Sequence, residues 1–211
     1  MASNTFLAGD LGGTKTLLSI YGHSEEGLQP LFTQRFASGE WPSLEAMLER
    51  FFAEVPSSLP KPQTSCIAVA GPVHDGGAKL TNLPWELSEH SLCEATGLAR
   101  LELVNDFAVL IHGLPHFSAK QQVLLQAGRG NSSEDAPPQG PVAILGAGTG
   151  LGMARGLPAQ RGWLALASEG GHREFAPRTD DEWHLASWLK ADLDLDRLSI
   201  ERIVSGTGLP F

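Results

Sequence analysis

The sequence has 211 residues, 42% of them hydrophobic and 18% charged, and a formal net charge of −9. This balance fits a globular chain of one large or two modest domains and excludes disordered and fibrous classes. The acidity, with Lys and Arg scattered singly, leaves no electrostatic footprint for nucleic acid and no polybasic run for a membrane surface.

The opening stretch MASNTFLAGD has neither a basic n-region nor a long apolar h-region, so no secretory leader is expected. No window approaches the apolar length of a membrane span. Cys66 and Cys93 form no CxxC pair, so zinc or iron–sulfur ligation by cysteine is not expected. A soluble protein of a reducing compartment follows, and Cys66, in the apolar run CIAVA, reads as a core residue.

In chain order, TFLAGD and KTLLSIYG flank a Gly-rich turn and predict a β-hairpin, to which GLQPLFTQRFAS adds a third strand. SLEAMLERFFAEV switches to helical period, with Leu44, Met47, Leu48, Phe51 and Phe52 on one face and Ser43 as N-cap. SCIAVAGPV predicts a buried strand, and HDGGAKLTNLPWELS a turn-rich excursion. SEHSLCEATG predicts a helix closed by Gly97. LELVND predicts a strand leading directly into a helix, FAVLIHGLP. The polar segment 128–140, GRGNSSEDAPPQG, reads as a surface loop between strands or, less readily, a domain linker. PVAILGAGTGLGMARG repeats the theme of strand, glycine turn, strand. TDDEWHLASWLKADL predicts a helix opened by a capping box of Thr179 with Glu182.

The chemistry-bearing residues sit at the ends of these elements. The first glycine turn, Gly9 to Thr14, is neither a P-loop nor GxGxxG. The second, around Gly148, Thr149 and Gly150, contains GxGxG but is followed by a strand pattern where a dinucleotide-binding fold needs a helix. Two such turns together can grip a polyphosphate through backbone N–H groups and Thr hydroxyls. Asp10 would then hold Mg²⁺, which arrives with a triphosphate, or else cap the turn.

Asn105 and Asp106 close an apolar strand, where a carboxylate can accept the proton of an attacking hydroxyl or can cap the next helix. Glu169 and His172, across two glycines, suit recognition of vicinal hydroxyls or form a surface turn. Their spacing resembles half a di-iron ligand set, but the glycines oppose the helix that set requires. Glu201 and Arg202 fit a solvated pair on a helix face.

These pieces fall in the order seen in bacterial glucokinases of the hexokinase–actin-like ATPase superfamily, and the chain resembles that family along nearly its whole length. GDLGGTKT resembles the first phosphate loop, AGPV and LTNLPW a strand end and sugar-side loop, and LVNDF the strand carrying the catalytic aspartate. LGAGTGLGMA resembles the second phosphate loop, SEGGHREFAP the glucose-binding turn, and SIERIVSGTGL the SAER-type segment. The cysteine-rich zinc motif of the related repressor/kinase group is absent from the sequence, which favours the glucokinase branch.

The resemblance implies an α/β, actin-like ATPase (ribonuclease H-like) fold with two lobes and a central cleft. It places a small lobe at residues 1–111 and part of a large lobe at 112–211. It implies ATP-dependent phosphorylation of the glucose 6-hydroxyl, with ATP and Mg²⁺, in the cytoplasm. Asp106 would be the general base. Asn105, Asp106, Glu169, His172 and Glu201 would bind the sugar, with Asn82 supporting the sugar-side loop. Gly9, Asp10, Leu11, Gly12, Gly13, Thr14, Gly148, Thr149 and Gly150 would contact the ATP phosphates, with Asp10 near the metal.

Family members continue past SGTGLPF, so much of the adenine-side pocket is expected to lie outside this sequence. The apolar surface left uncovered would lower stability or favour a homodimer. The alternatives are a non-catalytic sugar-binding or regulatory glucokinase-like protein and an actin-like ATPase that does not act on sugar.

Overall fold

The alternating runs and glycine punctuation of the N-terminal half condense into one mixed sheet. The computed structural model describes residues 5–25, 27–80, 82–126, 140–206 and 208. The chain divides into two compact units, Met1–Asp106 and Phe107–Phe211. The predicted loop or linker at 128–140 lies outside the described residues except for Gly140.

In the first unit, β1 (Thr5–Leu11), β2 (Lys15–Ser24) and β3 (Gly27–Ala37) form the expected antiparallel meander. β4 (Thr64–Val69) and β8 (Arg100–Asn105) join parallel to β1, giving the order β3-β2-β1-β4-β8. α1 (Leu44–Glu54) starts where Ser43 Oγ accepts from the Ala46 N–H at 3.3 Å. α2 (Glu89–Thr96) ends at Gly97, whose φ of 69° is a left-handed conformation that favours glycine.

The stretch read as a turn-rich excursion is instead a small sheet of β5 (Val73–His74), β6 (Gly77–Lys79) and β7 (Glu86–Ser88). Its apolar residues Ala78, Leu80, Leu83, Trp85 and Leu87 join one core with Leu7, Leu18, Ile67 and the buried face of α1. Strands of two and three residues are too short to show the alternation that reveals longer ones.

In the second unit, α3 (Asp106–Gly113) follows β8 without a loop. β9 (Val142–Ala147), β10 (Leu151–Pro158) and β11 (Trp163–Ser168) form an antiparallel sheet in the order β11-β10-β9. α4 (Asp180–Asp192) opens with the Glu182 N–H donating to Thr179 Oγ1 at 3.2 Å. The return bond of a capping box normally reaches the cap residue's own N–H. Here Glu182 Oε2 accepts from Arg178 N–H at 2.6 Å, one residue earlier. Ala186, Leu189 and Leu198 form a second, smaller core. No described helix is long and apolar enough to cross a membrane.

Phe51 is fully buried in the first core, its ring 5.3 Å from Phe32 and 5.6 Å from Phe52 between centroids. Phe51→Ala removes that packing and leaves a cavity, so it should cost about 3–5 kcal/mol. The drop in the urea unfolding midpoint of the variant measures it.

Candidate functional sites in the two units

The parallel register aligns strand ends in the first unit. Asp10 sits beside Ala68 and Leu11 beside Val69 across β1 and β4, and Val69 sits beside Asn105 across β4 and β8. Strands lie about 4.8 Å apart, so Asp10 and Val104, two strands away in one row, are separated by roughly 10 Å. The candidate metal ligand and the candidate base therefore lie at the same C-terminal end of a parallel sheet segment, where α/β proteins place their ligands.

Asn105 is the last residue of β8 and Asp106 the first of α3. The Asn105 amide Nδ2 donates to Gly71 O at 3.0 Å and to Asp106 Oδ1 at 3.1 Å. Gly71, at φ 147°, turns its carbonyl to meet that amide after β4. Asn105 thus orients the carboxylate.

The first glycine turn is closed by Gly12 N–H donating to Lys15 O at 3.0 Å. Gly12 and Gly13 do not have left-handed φ, so close approach rather than backbone conformation requires glycine here. A Cβ on Gly13 would come within 2.8 Å of the Asn82 Cβ. Asn82 therefore packs on the first glycine turn. A Cβ on Gly9 would press on the Ile67 and Leu18 side chains at 3.0–3.1 Å, so core packing is tight at Gly9. Leu11 is fully buried and offers the turn only its backbone.

Asp10 is exposed, and its carboxylate has no protein partner among the described residues, so it is not capping the turn. A hard cation that keeps several waters and takes one carboxylate fits that exposed oxygen pair. Cys66 supplies no nucleophile to the sheet. Burial pushes its thiol up, and the Glu102 and Glu89 carboxylates push the same way, so it is held neutral near pH 7.

The candidate site of the second unit is built around the other glycine turn. Gly148 N–H donates to Gly150 O at 2.9 Å, and Gly206 N–H reaches Gly148 O at 2.6 Å. Glu201, in a single 3-10 turn at Ile200–Arg202, accepts from the Leu151 N–H at 2.8 Å through Oε2. Its side chain is only 23% exposed, so it belongs to the turn and is not a solvated partner of Arg202 on a helix face.

Glu201 Oε1 lies 3.8 Å from His172 Nδ1, and Glu169 Oε2 lies 3.6 Å from His172 Nε2. Both separations exceed hydrogen-bond length, which leaves these groups reach for a ligand hydroxyl. His172 ends a 3-10 turn, Gly170–His172, whose Gly171 lies against the Leu151 carbonyl where a Cβ would collide. Gly171, of the two glycines between Glu169 and His172, is thus required by packing against the β10 backbone.

Three contributors carried no usable signal in the sequence. Ser38 and Thr16 are fully buried, and Ser38 Oγ donates to Gly12 O at 2.8 Å. Phe107 lies against Gly146 and Gly152, and a Cβ on either glycine would collide with its ring. A lone serine after a strand and an apolar residue after Asp106 look ordinary in sequence.

A family model described as Glucokinase matches residues 7–211. A glucokinase of Synechocystis sp. is 41% identical over 213 residues, covering 97% of this chain and 58% of that protein. A solved glucokinase from an Antarctic psychrotroph has a TM-score of 0.77 at 30% identity, covering 98% of this chain and 62% of its own. A glucokinase of Balamuthia mandrillaris, solved in complex with glucose, shares the fold at a TM-score of 0.77 and 21% identity, covering 98% of this chain and 61% of its own. The chain thus spans 58% of the length of its Synechocystis relative.

Gly152→Ala should destabilise the second unit by about 1–3 kcal/mol, because the new methyl overpacks against Phe107. Phe107→Leu in the same chain should recover part of the loss. A double-mutant cycle on unfolding free energies reads the coupling, and strict additivity would rule out the contact.

Proposed function

We propose that this chain, which belongs to the glucokinase family, supplies the sugar-binding and phosphate-binding parts of an ATP-dependent glucose 6-phosphotransferase. The observation that carries the reading is the Asn105–Asp106 pair, a carboxylate oriented by an amide at the end of a parallel strand. In this reading the chain supplies a small lobe, residues 1–111, and part of a large lobe, residues 112–211, of an actin-like ATPase fold with a cleft for substrates.

The roles follow from the groups each residue offers. Asp106 accepts the proton of the sugar 6-hydroxyl as its oxygen bonds to the γ-phosphorus of ATP. The bond from that phosphorus to the bridging oxygen breaks, and ADP leaves. Asn105 keeps the accepting carboxylate aligned through its amide hydrogens and offers its carbonyl oxygen to a sugar hydroxyl. Glu169 and Glu201 accept from ring hydroxyls, and His172 donates or accepts between them. The N–H groups of Gly13 and Gly150 face phosphate oxygens, with the Thr14 and Thr149 hydroxyls beside them, while the N–H groups of Gly12 and Gly148 close the two turns that hold the phosphates. Asp10 would hold Mg²⁺, which supplies charge neutralisation on the phosphates when bound. Asn82 supports the first turn through Gly13. The expected setting is cytoplasmic, and the expected assembly a homodimer.

A second reading is supported by the 58% span relative to the Synechocystis protein. Glu169, His172 and Glu201 are assembled within this chain, so sugar binding without turnover is open to it.

ADP release with Mg-ATP, with and without glucose, tests the first reading. Asp106→Asn should lower glucose-dependent turnover by about 10²–10⁴-fold, the usual contribution of a general base. Calorimetry should find its glucose affinity changed far less. Glu169→Gln should instead weaken glucose binding itself, and unchanged binding would remove Glu169 from the site. Glucose binding without ADP release by the unaltered chain would favour the second reading.

A further inference from the structure

Two buried hydroxyls lie beneath the first glycine turn. Thr16 and Ser38 are both fully excluded from solvent, with Thr16 on β2 and Ser38 directly after β3. Three hydrogen bonds tie them to the turn. Ser38 N–H donates to Thr14 O at 3.0 Å. Ser38 Oγ donates to Gly12 O at 2.8 Å. Thr16 Oγ1 and Ser38 Oγ are 2.9 Å apart.

Counting protons fixes the direction of the relay. A serine hydroxyl has one proton, and the carbonyl of Gly12 takes it. In the remaining contact Ser38 Oγ must therefore accept, and Thr16 must donate. The order runs from Thr16 O–H to Ser38 O–H to Gly12 C=O.

Peptide geometry carries the effect outward. The Gly12 carbonyl and the Gly13 N–H belong to one planar trans peptide and point in opposite directions. Holding that carbonyl inward on Ser38 aims the Gly13 N–H to the other side of the turn. Gly13 N–H has no acceptor among the described residues. Ser38 N–H holds the next carbonyl but one, at Thr14, by the same means. One residue thus sets two of the turn's peptide planes.

We infer that Ser38 and Thr16 are positioning residues that aim the Gly13 N–H at an anionic oxygen of a bound nucleotide. This rests on the reading of the turn as a phosphate site. Neither residue touches the ligand. Their effect passes through the Gly12–Gly13 peptide.

The test uses the whole chain with Mg-AMPPNP and with glucose, each titrated by calorimetry. Ser38→Ala should raise the Kd for Mg-AMPPNP about tenfold, with glucose affinity held within about twofold. Thr16→Val should weaken nucleotide binding in the same direction, and Thr16→Ser, which keeps the donor, should restore it. If Ser38→Ala does not fold, the Thr16 pair decides alone.

Nucleotide affinity unchanged in these variants overturns the inference, as does a parallel loss of glucose affinity, which would mark a general packing defect. If the unaltered chain binds no Mg-AMPPNP, the phosphate reading of the turn fails. The relay is then judged by amide exchange. Faster exchange confined to residues 12–15 in the Ser38 or Thr16 variants supports it, and unchanged exchange there overturns it.

Discussion

The register of three parallel strands is the constraint on which the first unit depends. Leu11, Val69 and Asn105 lie side by side, so β1, β4 and β8 end together. A one-residue slip of β8 would turn Asn105 to the opposite face of the sheet. The slip is opposed by burial, because Leu101 and Leu103 on β8 and Ile67 and Val69 on β4 are almost wholly excluded from solvent. The hydrophobic pattern that holds the core is thus the same pattern that places the polar pair. The Asn105 amide spans Gly71 O and Asp106 Oδ1, tying the ends of β4 and β8 to one carboxylate.

The second unit solves a similar problem with side-chain acceptors. A hairpin turn of three residues, Gly148 to Gly150, has little side chain of its own to hold its shape. Glu201 supplies the missing restraint by accepting from the Leu151 N–H, and Gly206 N–H holds the Gly148 carbonyl. Both come from one short segment some fifty residues downstream. That segment is itself anchored, because Ile200 N–H donates to Arg173 O and Phe175 N–H to Leu198 O. The turn that carries His172 and the turn that carries Gly148 are therefore braced by the same strand of chain. Glu201 touches the glycine turn with one oxygen and faces His172 with the other.

Local signals were legible in the sequence and distant ones were not. The hairpin, the α1 face, the Ser43 and Thr179 caps and the Gly97 stop each depend on residues within about four positions, and each stands in the structure. The glycine turns were legible as turns, but the reason for individual glycines was not. Gly9 lies tight against Ile67 and Leu18, Gly152 faces the Phe107 ring and Gly171 the Leu151 backbone, all partners outside the local sequence window. The bond from Ser38 to Gly12 spans 26 positions and that from Glu201 to Leu151 spans 50. No periodicity encodes such pairs. The candidate polar residues were legible because carboxylates, amides and imidazoles beside glycines at strand ends are chemically conspicuous. Hydroxyls that brace them from beneath are not.

The free edge of β8 shows how one residue can serve fold and site together. β8 closes the sheet on one side, so its outward N–H groups would otherwise be open to another strand. Glu89 Oε1 accepts from the Leu103 N–H at 2.8 Å and closes that edge. The Glu89 backbone N–H donates to Gly76 O at 2.9 Å, in the turn between β5 and β6. Gly76, at φ 70°, has its open side against the same carboxylate, where a Cβ would stand 2.8 Å from Oε2. The first residue of α2 therefore joins the small sheet, the helix and the edge strand. The strand it restrains is the one that ends at Asn105. The contact that satisfies the Leu103 N–H thus also fixes β8 two residues before the candidate site.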